Sequence, residues 1–168
     1  VSRMIRSYRV TRCVVDWGFG ANQLATLRHT FGNRVVAAFY TAGRTTIGQT
    51  QLVRGVKVDN RRGMVFIRKS RLITDLHLAH KHHLLLYPTA NRVVSDMLAA
   101  DMIREYAEYR KVGTAETEEL YYDHPAGTKD DGLHALAYSW LAAKLEEGKT
   151  FDDVPETIPT FPKVTFAL

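Results

Sequence analysis

A single cysteine, Cys13, is present in 168 residues. One thiol can form neither an internal disulfide nor a thiolate zinc cluster, and such usage fits a reducing compartment. Long apolar runs are missing as well, since none approaches the ~20 residues that span a bilayer. The Arg-rich start leads into no apolar segment of the secretory kind. Gly18 and Gly20 form a Gly-x-Gly without its third glycine, and no Walker A sequence occurs, which excludes an ATP site within this chain. Acids are scarce at the front: residues 1–100 carry 16 Lys/Arg against 4 Asp/Glu, whereas residues 101–168 carry 7 against 14. A uniformly solubilised surface would not divide its charge in this way. The division points to a basic face for a polyanion, nucleic acid first and a membrane surface second.

What is present is 45% hydrophobic content, enough for one globular domain with a core. Met4, Ile5 and Tyr8 share one side of a helix end over 1–8, and a sequence opening in mid-helix leads us to expect a domain that starts further upstream. Residues 12–16 predict a buried strand with Asp16 at its carboxyl end, where α/β proteins place their ligand crevice. Leu24, Leu27 and Phe31 then recur at helical spacing over about residues 23–31, and Gly32-Asn33 stops that helix. Residues 35–40 read as the next strand, giving a right-handed β–α–β unit with parallel strands. Asp16 could equally be a solvated strand-end carboxylate or a cap on the following helix.

Residues 51–58 and 64–69 predict two strands around the turn Asp59-Asn60-Arg61-Arg62-Gly63. Seven Lys/Arg and one acid lie between Arg54 and Arg71. The candidate phosphate contacts are therefore Arg54, Lys57, Arg61, Arg62, Arg68 and Lys69, with Lys129 added from a later turn. The same charges could simply protect edge strands. A helix is expected over 70–83, carrying a His-rich patch at His77, His80, Lys81, His82 and His83 that lacks any H-E-x-x-H zinc pattern. A short strand is expected over 84–87, an amphipathic helix with core residues Met97, Leu98, Met102, Ile103 and Tyr106 over 95–110, and an acidic loop over 112–119.

The stretch from His124 to Tyr138 organises the rest. A Pro/Gly turn delivers Asp130 and Asp131 to the start of a helix whose Leu133, Leu136, Ala137, Trp140 and Leu141 face inward. Asp130 and His134 are four apart and Asp131 and His134 three apart, so these polar groups share a face. Carboxylates fixed by a packed helix suit a hard metal ion. They are also ordinary first-turn caps, and Thr128 with Asp131 approaches a capping box. Asp16 and the Asp130/Asp131 pair are two carboxylate stations that a parallel sheet can bring to one edge. Clustered acids holding divalent ions are common machinery for cutting phosphodiesters.

Three segments carry a resemblance: Tyr8-Arg9-Val10 leading into Val14-Val15-Asp16-Trp17-Gly18-Phe19-Gly20-Ala21-Asn22; Leu27 with Phe31-Gly32-Asn33-Arg34-Val35; and Asp130-Asp131-Gly132-Leu133-His134-Ala135-Leu136-Ala137-Tyr138. Together they resemble the nuclease domain of the large terminase subunit of tailed bacteriophages, in the ribonuclease H-like superfamily. The resemblance implies a ribonuclease H-like mixed α/β sheet flanked by helices, with an added basic β-hairpin, over residues 1–147, and a tail over 148–168. It implies cleavage of concatemeric double-stranded DNA with a two-ion Mg²⁺ or Mn²⁺ site. Asp16 would match the family's second acid and Asp131 its third, both catalytic and metal-binding, with Asp130 and His134 as further ligands. The first acid would lie on a strand upstream of Val1, and without that strand cleavage is expected to be weak or absent. Implied partners are the terminase ATPase domain, portal and small subunit, in the cytoplasm of an infected bacterium. The same residues leave open a non-catalytic DNA-binding or assembly module, or a junction-resolvase-like nuclease.

Overall fold

The computed structural model of this protein describes residues 1–18, 20–41, 46–47, 50–51, 56–85, 87, 91–111 and 118–148. Its elements are α1 (Ser2–Ser7), β1 (Cys13–Asp16), α2 (Ala21–Phe31), a 3-10 turn (Gly32–Arg34), β2 (Val35–Thr41), β3 (Thr46–Ile47), β4 (Thr50–Gln51), β5 (Val56–Asp59), β6 (Met64–Arg68), α3 (Lys69–Lys81), α4 (Arg92–Arg104), β7 (Tyr106–Lys111), β8 (Glu118–Asp123) and α5 (Asp131–Glu146). Residues 52–55, with the candidate Arg54, lie outside the described residues, as does the expected tail from residue 149.

Val35-Val36-Ala37-Ala38 lacks polar alternation because both of its faces are covered, as in the interior of a parallel sheet. The four-stranded sheet runs β1-β2-β6-β5. β1, β2 and β6 are parallel, and β5 returns antiparallel to β6 around the 60–63 turn. This is an α/β fold with a mixed sheet flanked by helices, and it contains the expected β–α–β unit and hairpin. Gly63 closes that hairpin at φ 59, where a Cβ would be strained. Thr50–Gln51 does not extend β5 but pairs with Thr46–Ile47 in a separate ribbon.

Strand alternation divides the core in two. Val35, Ala37, Met64 and Phe66 meet Ile5 and Leu24 on one face, with Cys13 and Val15 beside them. Val36, Ala38, Val65 and Ile67 meet Leu72, Ile73, Leu76, Leu133, Ala137 and Leu141 on the other, with Val14 and Tyr40 beside them. Each fully buried Leu or Ile contributes about 1.5–3 kcal/mol. No described helix is long and apolar enough to cross a membrane.

Two expectations are corrected. The helix expected over 95–110 ends at Arg104, because Glu105 is extended (φ −73, ψ 125) and Tyr106–Lys111 pairs antiparallel with Glu118–Asp123. Tyr106 and Tyr109, good strand formers, find strand partners there, and β-propensity overrides the helical period. The helix's apolar residues are correspondingly not core: Met97, Ile103 and Tyr106 are exposed, and only Met102 packs on the main cluster. Leu84, Leu85 and Tyr87 form no strand, although Leu85 packs on the core.

α5 is anchored by a buried charge. The Asp75 side chain on α3 accepts from Trp140 Nε1 at 2.6 Å and pairs with Lys144 Nζ at 3.0 Å. Both charged groups are buried, and the ammonium lies 5.4 Å from the Trp140 ring centroid. Asp75→Ala removes the buried carboxylate that Trp140 and Lys144 both engage, so we expect a loss of about 3–5 kcal/mol in urea unfolding followed by Trp fluorescence. His77, stacked on Tyr122, has its pKa lowered from 6.5 by burial and then by His80. Below that value the unfolded chain binds more protons than the folded one, so stability falls as pH drops through 6.5 and on past the lower folded value. The urea midpoint should decline between about pH 7.5 and 5, and His77→Phe should flatten that decline.

Candidate metal centre at the carboxyl edge of the sheet

Three parallel strands end side by side, and their period-2 alternation decides what faces α5. Asp16 follows Val14 on that face, Tyr40 follows Val36 and Ala38, and Lys69 follows Val65 and Ile67 just past the end of β6. From above, α5 presents Asp130, His134 and Tyr138 at successive steps of four, which places them along one line of the helix. The sheet and the helix therefore enclose a row of polar groups.

The row can be traced atom by atom. Asp16 is exposed, and one carboxylate oxygen accepts from Gly18 N at 3.1 Å, the local turn expected of a strand-end acid. Its charge is also felt at the Tyr138 phenol, whose pKa it helps to raise. Tyr138 stacks on Tyr40, ring centroids 5.5 Å apart, and the Tyr40 hydroxyl lies 2.8 Å from His134 Nδ1. His134 Nε2 is 2.8 Å from Asp130 Oδ2. Burial pushes the Tyr138 phenol up to about 12, aided by the Asp16 and Asp130 charges. Burial first, then Tyr138 and the same two carboxylates, raises Tyr40 further. Both phenols thus remain protonated donors at neutral pH.

Asp130 Oδ2 is shared. His124 Nδ1 approaches it at 3.3 Å and Lys69 Nζ at 3.8 Å. Beyond them lies Glu105, whose side chain is fully buried, 3.1 Å from Lys69 Nζ and 3.9 Å from His124 Nδ1. Glu105, His124 and Asp130 each offer a ligand atom, and all three atoms lie within 4.8 Å of one another. Apart from the ion pairs to Lys69 and Asp130, neither Glu105 oxygen nor His124 Nδ1 meets a well-aligned hydrogen-bond partner among the described residues. Buried polar atoms without such partners are rare and call for an explanation. Two carboxylates and an imidazole form a donor set able to hold a divalent ion. The β7–β8 ribbon positions them, since Tyr106 pairs with Asp123 and so Glu105 and His124 flank its end.

The candidates read from sequence fall into three places. Asp16, Asp130 and His134 belong to the row just described. Asp131 occupies the first position of α5, is exposed, and lies outside the three-residue ligand group. The expected capping box is replaced: Thr128 Oγ1 donates to the Pro125 carbonyl at 2.7 Å, and Gly132 N–H donates to Asp101 on α4 at 2.9 Å. A Cβ at position 132 would collide with that carboxylate. Among the basic candidates, Arg61 and Lys129 are exposed, Lys57 and Arg68 are half-buried, Arg62 pairs with Asp59 at 3.7 Å, and Lys69 is held at the carboxylates.

Sequence reasoning missed Glu105, His124, Tyr40 and Tyr138. Glu105 was hidden inside an apparent amphipathic helix, and His124 opened the motif stretch without an acid at ligand spacing. No protein-family model, curated protein or solved structure matches this chain.

Lys69 is the counter-ion of this cluster. Lys69→Met should lower stability in chelator by about 2 kcal/mol, less than for a fully buried pair because the lysine is partly exposed. Thermal unfolding with and without Mn²⁺ checks this: the ion should raise the melting temperature more in the variant than in the parent, because its competitor is gone.

Proposed function

We propose that the chain is a metal-dependent nuclease domain acting on double-stranded DNA, of the ribonuclease H-like kind found in phage terminase large subunits. The observation that carries the reading is the Glu105, His124 and Asp130 donor set, continued through His134 to Tyr40, at the carboxyl edge of the parallel strands where Asp16 ends β1. The donor set with its imidazole suits Mn²⁺ better than Mg²⁺, which favours oxygen ligands alone.

Glu105, His124 and Asp130 would hold the ion, with Asp16 at the same carboxyl edge of the sheet. A bound divalent ion supplies Lewis-acid stabilisation and an activated water for phosphodiester hydrolysis. His134, between Tyr40 and Asp130, is placed to hold or pass on a proton. Tyr40 fixes the imidazole through a hydrogen bond its high pKa keeps intact, and Tyr138 stacks on Tyr40. Lys69 neutralises the acids when no ion is present. Exposed Arg61 and Lys129 supply sequence-independent phosphate contacts. The terminase ATPase domain, portal and small subunit are the partners this reading implies.

Nicking of supercoiled plasmid tests it. With Mn²⁺ the full chain should nick, and Asp16→Asn and Asp130→Asn should each reduce the rate on the order of 100-fold with unchanged circular dichroism. Asp131→Asn, at an exposed position, should cost less than about threefold. Nicking that survives both Asp16→Asn and Asp130→Asn would overturn the assignment.

A further inference from the structure

The end of α1 carries an arginine where glycine is the favoured residue. Val10 N–H bonds to the Ile5 carbonyl at 3.0 Å and Arg9 N–H to the Arg6 carbonyl at 3.3 Å, the paired bonds of a Schellman helix end. The residue that closes this motif adopts the left-handed conformation, and here Arg9 does so at φ 50. A side chain strained in this way persists only where the surroundings or a function retain it.

Arg9 is not alone. With Arg6, Arg34, Phe31 and Glu146 it lines a pocket of about 650 Å³ between α1 and the amino ends of β1 and β2. The Arg6 guanidinium lies 5.6 Å from the Phe31 ring centroid. Glu146, the acid among these, is engaged by Arg12 at 3.2 Å. Arg6, Arg9 and Arg34 are exposed and have no ion-pair partner among the described residues. Residues 1–34 hold six arginines and one acid, Asp16. The pocket lies at the opposite end of β1 from Asp16 and uses none of the residues of the carboxylate row.

We infer that Arg6, Arg9 and Arg34 form a phosphate-binding pocket for a polynucleotide backbone, separate from the carboxylate centre. Guanidinium forks match phosphate oxygens in pairs, and three uncompensated forks around one pocket exceed what a lone surface charge would need. The succession of arginines along residues 3–34 suits a repeating anion better than a single small one. This inference rests on the nucleic-acid reading above, yet places the contact on a surface that reading does not use.

The test is duplex binding by the full chain, measured as anisotropy of a labelled oligonucleotide across a salt series. Arg9→Gly is the informative variant, since it removes the guanidinium while relieving the backbone. We expect roughly fivefold weaker binding and a salt slope smaller by about 0.9, together with a raised melting temperature. Arg34→Gln should weaken binding similarly, which guards against a folding artefact in either variant. A parent chain that fails to bind duplex overturns both readings. A parent that binds, with affinity and slope unchanged in Arg9→Gly and Arg34→Gln, overturns this inference alone. So does pyrophosphate stabilising the parent but not the variants while duplex affinity stays equal, because the pocket would then serve a small anion.

Discussion

The position of α5 depends on one buried carboxylate. Asp75 holds Trp140 and Lys144 from α3, and Leu133, Ala137 and Leu141 press the same helix onto the sheet. A charge pair taken from water gains little net energy, but each half strongly resists losing the other. The clamp therefore serves register more than stability. With residues 140 and 144 tied on one side, the line 130, 134, 138 has a single azimuth available to it, the one over the strand ends. A rotation by one residue would be about 100° and would turn Asp130 and His134 away from Tyr40.

The strands add an equally discrete constraint. Parallel pairing puts the ends of β1, β2 and β6 at one edge, and alternation leaves no choice about which side chains face α5. Asp16, Tyr40 and Lys69 face it for the same reason that Val14, Ala38 and Ile67 do: they continue the core-facing set by one step past the apolar region. The polar row is thus the core's own pattern carried out to the rim, where polar groups can be partly hydrated and partly paired.

That logic explains what could be read from sequence. The β–α–β unit, the hairpin and α5 were legible because each carried a local signal: an unbroken apolar run, a glycine-bearing turn, or a four-residue apolar repeat. Asp16 and the Asp130/His134 pair were legible because each stood at the end of such an element. Glu105 and His124 were not, since what brings them together is the pairing of Tyr106 with Asp123 across a ribbon, a relation between two segments that leaves no mark in either. The choice between Asp130 and Asp131 was beyond reach for a related reason. Adjacent residues on a helix point about 100° apart, and only the tertiary azimuth says which one faces inward.

Charge balance links the pieces. Asp16, Glu105 and Asp130 carry three formal negative charges, and Lys69 is the lysine that pairs with two of them. Asp16 is exposed to water, so the enclosed balance is Glu105 and Asp130 against Lys69, one formal negative charge in excess around a fully buried glutamate side chain. In a low-dielectric setting such an excess must be met by protonation or by a cation. The phenols of Tyr40 and Tyr138 cannot add to it, because both are held protonated. A lysine alone leaves the deficit, and a further fixed arginine would fill the cluster permanently. Glu105, His124 and Asp130 together offer a donor set able to hold a divalent cation beside Lys69, which would remove the excess and could leave again.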